Sequence, residues 1–383
     1  EVKYVGDPVA MVIADTIDRA RDAAELVMVD YDSKPAVTDL KTVLDKKTPV
    51  IWRKIKSNRV YHFHKGDQNK TARAIKSAHH VTSLELINNR VSPSAVEPRG
   101  AIGEFDTIED QYVLHISGQA VFGQRGQMAD AIFKVPHDKI RVVMPDVGGG
   151  FGAKNFVYPE NVMVLLAAKL CGRPVKWIAE RSENFLCEIH GRDHLTKVDL
   201  ALDEEGHFLA LNVETKANLG AYLSSYATII PTSASWVALG GPYTIPTMSM
   251  SVDAVFTNTV PVDAYRGAGR PEAAYLLERV VDLAAQEMGI DPLELRQRNY
   301  IRSFPHKNAL GMLIECGAFA ENLELAGKHA DFETFEARCR VSEKSGKLRG
   351  RGVSSYLELT LGMPADDSEI RFDDDGGITM LVG

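Results

Sequence analysis

Two glycine-rich segments constrain this chain more than any other part of its sequence. Residues 146–154 read Asp-Val-Gly-Gly-Gly-Phe-Gly-Ala-Lys and follow a strand-like run at 140–144. Residues 263–273 read Asp-Ala-Tyr-Arg-Gly-Ala-Gly-Arg-Pro-Glu-Ala and precede a strongly patterned helix. Glycines let backbone amides approach a ligand closely, and each segment adds an aromatic or cationic side chain. The two segments, called here the glycine loop (146–154) and the arginine loop (263–270), therefore predict a site for a large anionic cofactor.

The glycine loop has three competing interpretations. Residues 148–153 formally match the dinucleotide pattern G-x-G-x-x-A, but that fold also needs an acidic residue about 20 positions later. Residues 168–173 read Ala-Lys-Leu-Cys-Gly-Arg and contain no carboxylate. A Walker phosphate loop fails as well, since Ala153 precedes Lys154 and Asn155 follows it. The third interpretation, a plain turn between a strand and a helix, is not excluded. Three glycines and an aromatic residue nevertheless exceed what such a turn requires.

Composition and charge narrow the class of protein. The chain has 383 residues and a formal net charge of -8, which argues against nonspecific binding to nucleic acid. It has no apolar run of about 18 residues, so no transmembrane helix is predicted. The scattered cysteines predict reduced, mostly buried thiols and no iron–sulfur cluster in this chain. They are Cys171, Cys187, Cys316 and Cys339.

Hydrophobic periodicity predicts a mixed α/β chain of the α+β class. Near the N-terminus it predicts a strand at 9–14, a helix capped by Asp15 or Thr16 that runs to about Glu25, and a strand at 27–31. Residues 35–69 are polar and irregular, which is typical of a linker. Further predicted strands are 112–117, 140–144, 197–202, 207–214, 369–372 and 378–382, and further predicted helices are 123–133, 158–170, 272–288 and 292–298.

Six short motifs in order make the chain similar to a known family. They are Tyr-Val-Gly-Asp-Pro-Val-Ala at 4–10, Val-Glu-Pro-Arg-Gly at 96–100, the glycine loop, Glu-Arg-Ser-Glu and His-Gly-Arg-Asp-His at 180–183 and 190–194, and the arginine loop. Together they resemble the large, molybdopterin-binding subunit of the molybdenum hydroxylases. This is the family of xanthine dehydrogenase, aldehyde oxidoreductase and aerobic carbon monoxide dehydrogenase. The resemblance extends along essentially the whole chain.

The resemblance implies a domain organisation. Residues 1–45 would be the C-terminal part of an α/β hammerhead domain, and 46–75 would be a linker. Residues 76–365 would form the first molybdopterin-binding domain, and 366–383 the start of the second. Because the sequence begins without Met and ends on an apolar strand, we expect both ends to be cuts within a longer chain.

The resemblance also assigns site residues. Gln119 would hydrogen-bond an oxygen ligand of molybdenum. Phe151 and Gly152 would lie over the metal, with the Gly152 amide facing the cofactor, and Gly150 would bind the cofactor beside them. Arg266 would contact the same site and act catalytically, by stabilising negative charge that develops on the substrate. No side chain is expected to ligate the metal, because the pterin dithiolene holds it.

Two departures from the family pattern narrow the substrate. Gly267 stands where carbon monoxide-oxidising members carry a copper-binding cysteine, and Asn155 stands where xanthine-type members carry a glutamate. The candidate substrates that remain are aldehydes, other N-heterocycles and related small aromatic compounds. The family's general base, a glutamate of a far C-terminal Gly-Glu motif, has no counterpart in 1–383, so this chain alone is expected to be inactive.

The expected function is that of the molybdenum-cofactor subunit of a cytoplasmic oxidoreductase. It would hydroxylate an aldehyde or an N-heterocyclic or aromatic substrate with water-derived oxygen. The resemblance implies molybdenum–molybdopterin in its cytosine dinucleotide form, a small subunit with 2Fe-2S clusters, a medium subunit with FAD, and a dimer of heterotrimers. A second hypothesis is an inactive fragment or scaffold that lacks the cofactor, and a third is a nucleotide-binding protein.

Other clusters of ligand-type side chains have structural interpretations. His62 and His64 share one face of a strand-like run, but no further zinc ligand is evident nearby. Residues 190–194 are expected to form a polar turn network around two histidines. The acidic run 373–375 lacks the remaining ligands of a calcium loop and is expected to be a solvated turn.

Overall fold

Two main β-sheets flanked by helices and two short two-stranded sheets are present in the described residues, which confirms the predicted α+β class. The computed structural model describes residues 1–359 and 368–382. The strands in these residues are β1 (Arg59–Gly66), β2 (His80–Asn88), β3 (Gly100–Asp106), β4 (Gln111–Ile116), β5 (Ile140–Val143), β6 (Val175–Ile178), β7 (His194–Leu202), β8 (Phe208–Asn218), β9 (Thr247–Val255), β10 (His306–Lys307), β11 (Leu313–Ile314), β12 (Ser368–Phe372) and β13 (Ile378–Val382). The α-helices are α1 (Ile17–Glu25), α2 (Gln68–Ser77), α3 (Val121–Gly126), α4 (Pro159–Cys171), α5 (Arg181–Cys187), α6 (Ser233–Trp236), α7 (Arg270–Met288), α8 (Pro292–Asn299), α9 (Phe319–His329) and α10 (Phe335–Lys344).

The larger sheet has five strands in the order β1-β9-β8-β7-β2. Neighbouring strands are antiparallel except for β8 and β9, which are parallel. The long helix α7 packs on this sheet, and Val280 and Ala284 of the helix share a fully buried core with Leu200 and Leu211 of the strands. This core fixes the start of α7, and with it the arginine loop that immediately precedes the helix.

The smaller sheet has four strands in the order β5-β4-β3-β6. Its core is closed by α4, where Val164 and Leu165 pack with Leu114 of β4 and Ile140 of β5. β4 and β5 run parallel, with His115 opposite Val143. Because parallel strands end at the same edge of a sheet, the segments that follow β4 and β5 lie side by side.

The predicted N-terminal helix is confirmed, but the strands predicted on either side of it are wrong. Thr16 caps α1, and its Oγ1 accepts a hydrogen bond from the Arg19 amide at 3.3 Å. Residues 9–14 and 27–31 have no partner strand in the described part of the chain. Their apolar side chains are largely exposed, Met28 by 92%. A strand is stabilised by its cross-strand neighbours, which an apolar run in the sequence does not supply.

The prediction that residues 35–69 are irregular is wrong for the second half of this range. β1 pairs with β9 as an edge strand, and α2 begins at Gln68 with Asp67 as its cap. Only one face of β1 is partly buried, so its alternation of polar and apolar side chains was a weak signal. Residues before β1 also contribute to a small core against Leu195 and Val255; they are Val37, Leu40, Val43 and Ile51.

The other predicted elements are present with small shifts. The helix predicted at 123–133 is α3 followed by a π-helical segment, Gln127–Phe133. The strands predicted at 197–202 and 207–214 pair as the hairpin β7–β8, and those predicted at 369–372 and 378–382 pair as the hairpin β12–β13. The domain boundary predicted between 365 and 366 lies outside the described residues. No helix in 1–359 or 368–382 combines the length and the apolar character that crossing a bilayer requires.

Candidate cofactor site

The glycine loop and Gln119 are held together at the common edge of β4 and β5. Gln119 follows β4, and its Oε1 accepts hydrogen bonds from the backbone amides of Gly152 at 2.9 Å and Lys154 at 3.2 Å. In return, the Gln119 amide donates to the Lys154 carbonyl at 3.1 Å. Gly150 lies directly against this side chain, since a Cβ there would stand 2.3 Å from Gln119 Oε1. The structure thus brings together three of the residues that the sequence singles out.

One predicted detail is corrected by these contacts. The Gly152 amide was expected to face the cofactor, but it donates to Gln119 Oε1 instead. With Oε1 accepting from two amides, the side-chain NH2 of Gln119 is the group left to donate elsewhere. The donor that this part of the site offers is therefore a side-chain amide rather than a backbone amide.

The arginine loop meets the glycine loop at Phe151. The Arg266 amide donates to the Phe151 carbonyl at 2.9 Å, and Gly152 lies so close to the arginine loop that a Cβ there would stand 2.5 Å from the Ala264 carbonyl oxygen. The Arg266 side chain is exposed, and within residues 1–359 and 368–382 no hydrogen bond or ion pair holds its guanidinium. The cation of Arg266 is therefore available at the junction of the two loops.

Phe151 has an unusual backbone conformation for an aromatic residue. Its φ is 52°, and its side chain is 42% exposed. Left-handed backbone at a bulky residue costs free energy and persists where the surrounding structure enforces it. Here the enforcing contacts are those of Gly152 with Gln119 and of Arg266 with the Phe151 carbonyl. The result is a solvent-facing aromatic ring on a rigid backbone.

A buried polar network lies beneath the glycine loop. Lys154 Nζ donates to Ser117 Oγ at 2.6 Å, to the Glu97 carbonyl at 2.9 Å and to Glu97 Oε2 at 3.0 Å. The same carboxylate accepts from the Gly148 amide at 2.7 Å. Partial burial opposes ionisation of Glu97, but its hydrogen bonds from Ser117, Lys154 and Gly148 outweigh burial and lower its pKa. Glu97 and Lys154 both belong to sequence motifs, but their pairing is a tertiary contact that the motifs do not predict.

A second buried ion pair supports the arginine loop. Arg192 Nη1 lies 3.1 Å from Glu272 Oε1, and the two side chains are 11% and 2% exposed. Arg192 also donates to the carbonyls of Tyr265 at 2.9 Å and Arg266 at 2.6 Å, and Glu272 accepts from the Gly269 amide at 2.8 Å. The polar turn network predicted at 190–194 is therefore confirmed for Arg192.

The remaining candidate clusters have local structural roles. His62 contacts Asp253 at 2.7 Å and His64 contacts Ser249 at 3.3 Å, each with its own partner. Ligand-type side chains also gather in the exposed β7–β8 turn, where His207 contacts Asp203 at 3.1 Å. All four cysteines are free, but Cys171 and Cys316 are exposed, so the expectation of mostly buried thiols is wrong. Cys171 is the last residue of α4, and Cys316 lies in the segment between β11 and α9.

The geometry fits a large, anionic cofactor that approaches the glycine loop closely and accepts hydrogen bonds from side-chain donors. A Cβ at Gly148, Gly150 or Gly152 would overlap a neighbouring atom, so these positions require glycine. The Phe151 ring is exposed on a constrained backbone, and the side chains of Gln119 and Arg266 are exposed on the segments that meet there. Anions bind well to such sets of convergent donors. Three separate segments of sequence thus meet at one candidate cofactor site.

Comparison with known proteins agrees with this class of site. The family model described as the molybdopterin cofactor-binding domain matches residues 51–300, more than half of the chain. The chain therefore belongs to this family, that of the large subunits of the molybdenum hydroxylases.

Individual relatives place the chain more closely within the family. It is 31% identical to the carbon monoxide dehydrogenase large chain of Hydrogenophaga pseudoflava over 97% of this chain and 48% of that protein. It is 28% identical to the nicotine 6-hydroxylase large subunit of Paenarthrobacter nicotinovorans over 100% of this chain and 48% of that protein. The crystal structure of quinoline 2-oxidoreductase from Pseudomonas putida 86 superposes with a TM-score of 0.90 at 31% identity, covering 99% of this chain and 50% of that one. The chain thus spans about half the length of the relatives it matches.

Proposed function

We propose that this chain supplies the cofactor-binding half of a molybdenum hydroxylase. The complete enzyme would hydroxylate an aldehyde or an N-heterocyclic or aromatic substrate with oxygen derived from water. One observation carries the proposal: Gln119, the glycine loop and the arginine loop, far apart in sequence, converge through direct hydrogen bonds on one exposed junction. The relatives named above, which include a nicotine hydroxylase and a quinoline oxidoreductase, support this range of substrates.

Each site residue has a role that its position supports. Gly150 and Gly152 let the backbone approach the cofactor, and the Gln119 NH2 donates a hydrogen bond to it. Phe151 covers the cofactor and excludes water with its exposed ring. When bound, the molybdenum cofactor supplies the two-electron oxidation of a carbon atom. Arg266 faces the substrate, and its unpaired guanidinium stabilises negative charge that develops there.

The finer assignments follow the same proposal. The cofactor would be molybdopterin cytosine dinucleotide, in a cytoplasmic enzyme. Electrons would leave through a small subunit with 2Fe-2S clusters and a medium subunit with FAD, assembled as a dimer of heterotrimers. Four scattered cysteines support placing the clusters on another chain, because iron–sulfur ligation needs clustered thiolates. The relatives described as a large chain and a large subunit support an assembly of several subunits.

The first test is the molybdenum content of the protein purified from its native host with any bound partners, measured by elemental mass spectrometry. We expect nearly stoichiometric molybdenum for the natural sequence. Gly150→Ala should lower it several-fold, because the new Cβ displaces Gln119 from its hydrogen bonds. Gly350→Ala is the matched control, since a Cβ there meets nothing within 4 Å.

Two outcomes would count against the proposal. Negligible molybdenum in the natural protein would favour the alternative that the chain is a scaffold without cofactor. Equal molybdenum in Gly150→Ala and Gly350→Ala would show that the cofactor lies elsewhere.

A further inference from the structure

An aromatic cavity of about 420 Å³ lies between the N-terminal segment and the polypeptide that leaves the glycine loop. Tyr4 and Tyr222 form one wall, with ring centroids 6.1 Å apart, and Phe156 and Tyr158 form another, with centroids 6.5 Å apart. Its volume falls in the range of roughly 300–1,000 Å³ that is typical of small-molecule sites. The rings offer both faces and edges to a flat ligand.

The charged side chains that line the cavity are all acidic. Two carboxylates, Asp7 and Glu160, line it, and no lysine, arginine or histidine of the described residues does. Glu160 is paired with the buried Arg99, whose Nη1 lies 3.3 Å away behind the Tyr158 ring. The negative charge of Glu160 is therefore largely compensated from outside the cavity.

Asp7 is the carboxylate without a cationic partner. Its Oδ2 accepts from the Tyr222 hydroxyl at 2.7 Å and from the Lys3 backbone amide at 2.9 Å. Within residues 1–359 and 368–382 no lysine, arginine or histidine forms an ion pair with it; the Lys3 ammonium lies instead 3.1 Å from Glu1. The two neutral hydrogen bonds fix the orientation of the carboxylate but leave its charge in place.

The cavity shares a wall with the cofactor site. Ala153, which follows Gly152, packs in one cluster with Phe156, Tyr158 and Ile189, and Ala264 of the arginine loop packs against that cluster. Phe156 and Tyr158 line the cavity from the same cluster. The cavity wall and the two loops therefore share packed side chains.

We propose that this cavity binds a planar heteroaromatic ring that carries a positive charge. The aromatic walls attract the cation through their ring faces, and Asp7 supplies the opposite charge at one end. A ligand with a carboxylate would instead be repelled by Asp7, whose charge no ion pair offsets among the described residues. The inference goes beyond the proposed function and concerns a binding site separate from the cofactor junction, because Gln119, Phe151 and Arg266 do not line this cavity.

The test uses three probes with one ring system and three charges. Isothermal titration calorimetry of the full chain with N-methylquinolinium, quinoline and quinoline-2-carboxylate at pH 7.5 measures the effect of charge at nearly constant shape. We expect the cation to bind most tightly and the carboxylate most weakly. Failure of all three probes to bind, or equal or tighter binding of the carboxylate, overturns the proposal.

Variants locate the binding to this cavity. Asp7→Asn should weaken N-methylquinolinium binding by roughly tenfold, because it removes the uncompensated charge. Asp22→Asn is the matched control: Asp22 is exposed on α1 outside the cavity wall and should leave the affinity unchanged. Equal losses in the two variants would mean nonspecific attraction by a chain of net charge -8 and would overturn the proposal.

A second variant keeps the test decisive if Asp7→Asn loosens the N-terminal segment. Gln127 lines the cavity from the π-helical segment and is exposed. Gln127→Lys should weaken binding of the cation and strengthen binding of the carboxylate, and unchanged affinities would contradict the proposal. Molybdenum content separates the two proposals: a loaded protein that binds no probe refutes the cavity alone, and a probe-binding chain that never carries molybdenum refutes the proposed function.

Discussion

At the scale of single residues, the glycine loop depends on side chains below it as much as on its glycines. Lys154 is nearly fully buried and satisfies three acceptors on Glu97 and Ser117. The loop amide of Gly148 is held by the same Glu97 carboxylate. Lys154 therefore fixes the loop from beneath, while Gln119 fixes it from the side.

Lys154→Met tests this role. Methionine keeps the length of the side chain but leaves the buried acceptors without a donor, so we expect a loss of about 2–4 kcal/mol in the free energy of unfolding. Glu97 is partly exposed, which holds the loss below the value for a fully buried pair. Urea unfolding measures it, with Lys176→Met on the exposed face of β6 as the control, expected within about 0.5 kcal/mol of the natural chain. Equal losses would contradict the role.

At the scale of elements, the arginine loop is positioned by an ion pair between the turn before β7 and the first turn of α7. Glu272 is 2% exposed and has Arg192 as its ion-pair partner among the described residues. Because Glu272 also accepts from the Gly269 amide, the pair joins the start of α7 to the carbonyls of Tyr265 and Arg266. The conformation of the loop is thus set by the two elements that flank the site.

Arg192→Met should therefore destabilise the chain and loosen the loop. Removing one partner of a buried pair costs about 3–5 kcal/mol, because the other charge is left uncompensated. We expect a loss near the lower end and faster hydrogen exchange in residues 264–270. Arg173→Met is the control: Arg173 is 77% exposed, and its ion pair with Asp15 spans 3.8 Å. Unchanged exchange in the loop would show that Arg192 does not position it.

The sequence predicted well the elements whose own residues determine them. α7 and α4 carry apolar stripes, a proline in the first turn and a glycine end, all of which are local signals. It failed at 9–14 and 27–31, where strand formation depends on a partner, and at β1, whose pairing with β9 joins residues far apart in the chain. The site residues came from motif resemblance, while the supporting pairs, Glu97 with Lys154 and Arg192 with Glu272, arise from tertiary contacts that no local pattern encodes.

At the scale of the whole molecule, a buried polar junction lies where the chain crosses from the smaller sheet to the larger one. Arg90 donates to Asp193 Oδ2 at 2.8 Å and to the Val260 carbonyl at 2.8 Å. His190 lies beside it, and its backbone bonds to Pro261 at 3.0 Å and Asp263 at 2.9 Å lead directly into the arginine loop. The stability of this junction therefore bears on both sheets and on the candidate site.

His190 makes the junction sensitive to acid. Burial, reinforced by the nearby Arg90 charge, lowers the pKa of His190 from 6.5 to about 4. The ring contacts fit a neutral imidazole, with Nδ1 3.4 Å from the Arg90 guanidinium and Nε2 3.1 Å from the Phe185 carbonyl oxygen. Since the unfolded chain takes up the proton more readily, the contribution of His190 to stability is complete above pH 6.5 and is lost as the pH falls toward 4.

We predict that the natural chain and the variant His190→Gln, whose side chain cannot titrate, differ in free energy of unfolding by an amount that depends on pH. The free energy of unfolding of the natural chain, relative to that of the variant, should fall by about 1–3 kcal/mol between neutral pH and pH 4. Carboxylates that titrate in the same pH range contribute equally to the free energy of unfolding of both proteins, so their contributions cancel in the difference. Urea unfolding at half-unit pH intervals measures it, and a difference that stays constant with pH would show that the imidazole is not held neutral. Because His190 and Asp263 are joined through the backbone, hydrogen exchange in the arginine loop should rise over the same pH interval in the natural chain and not in the variant.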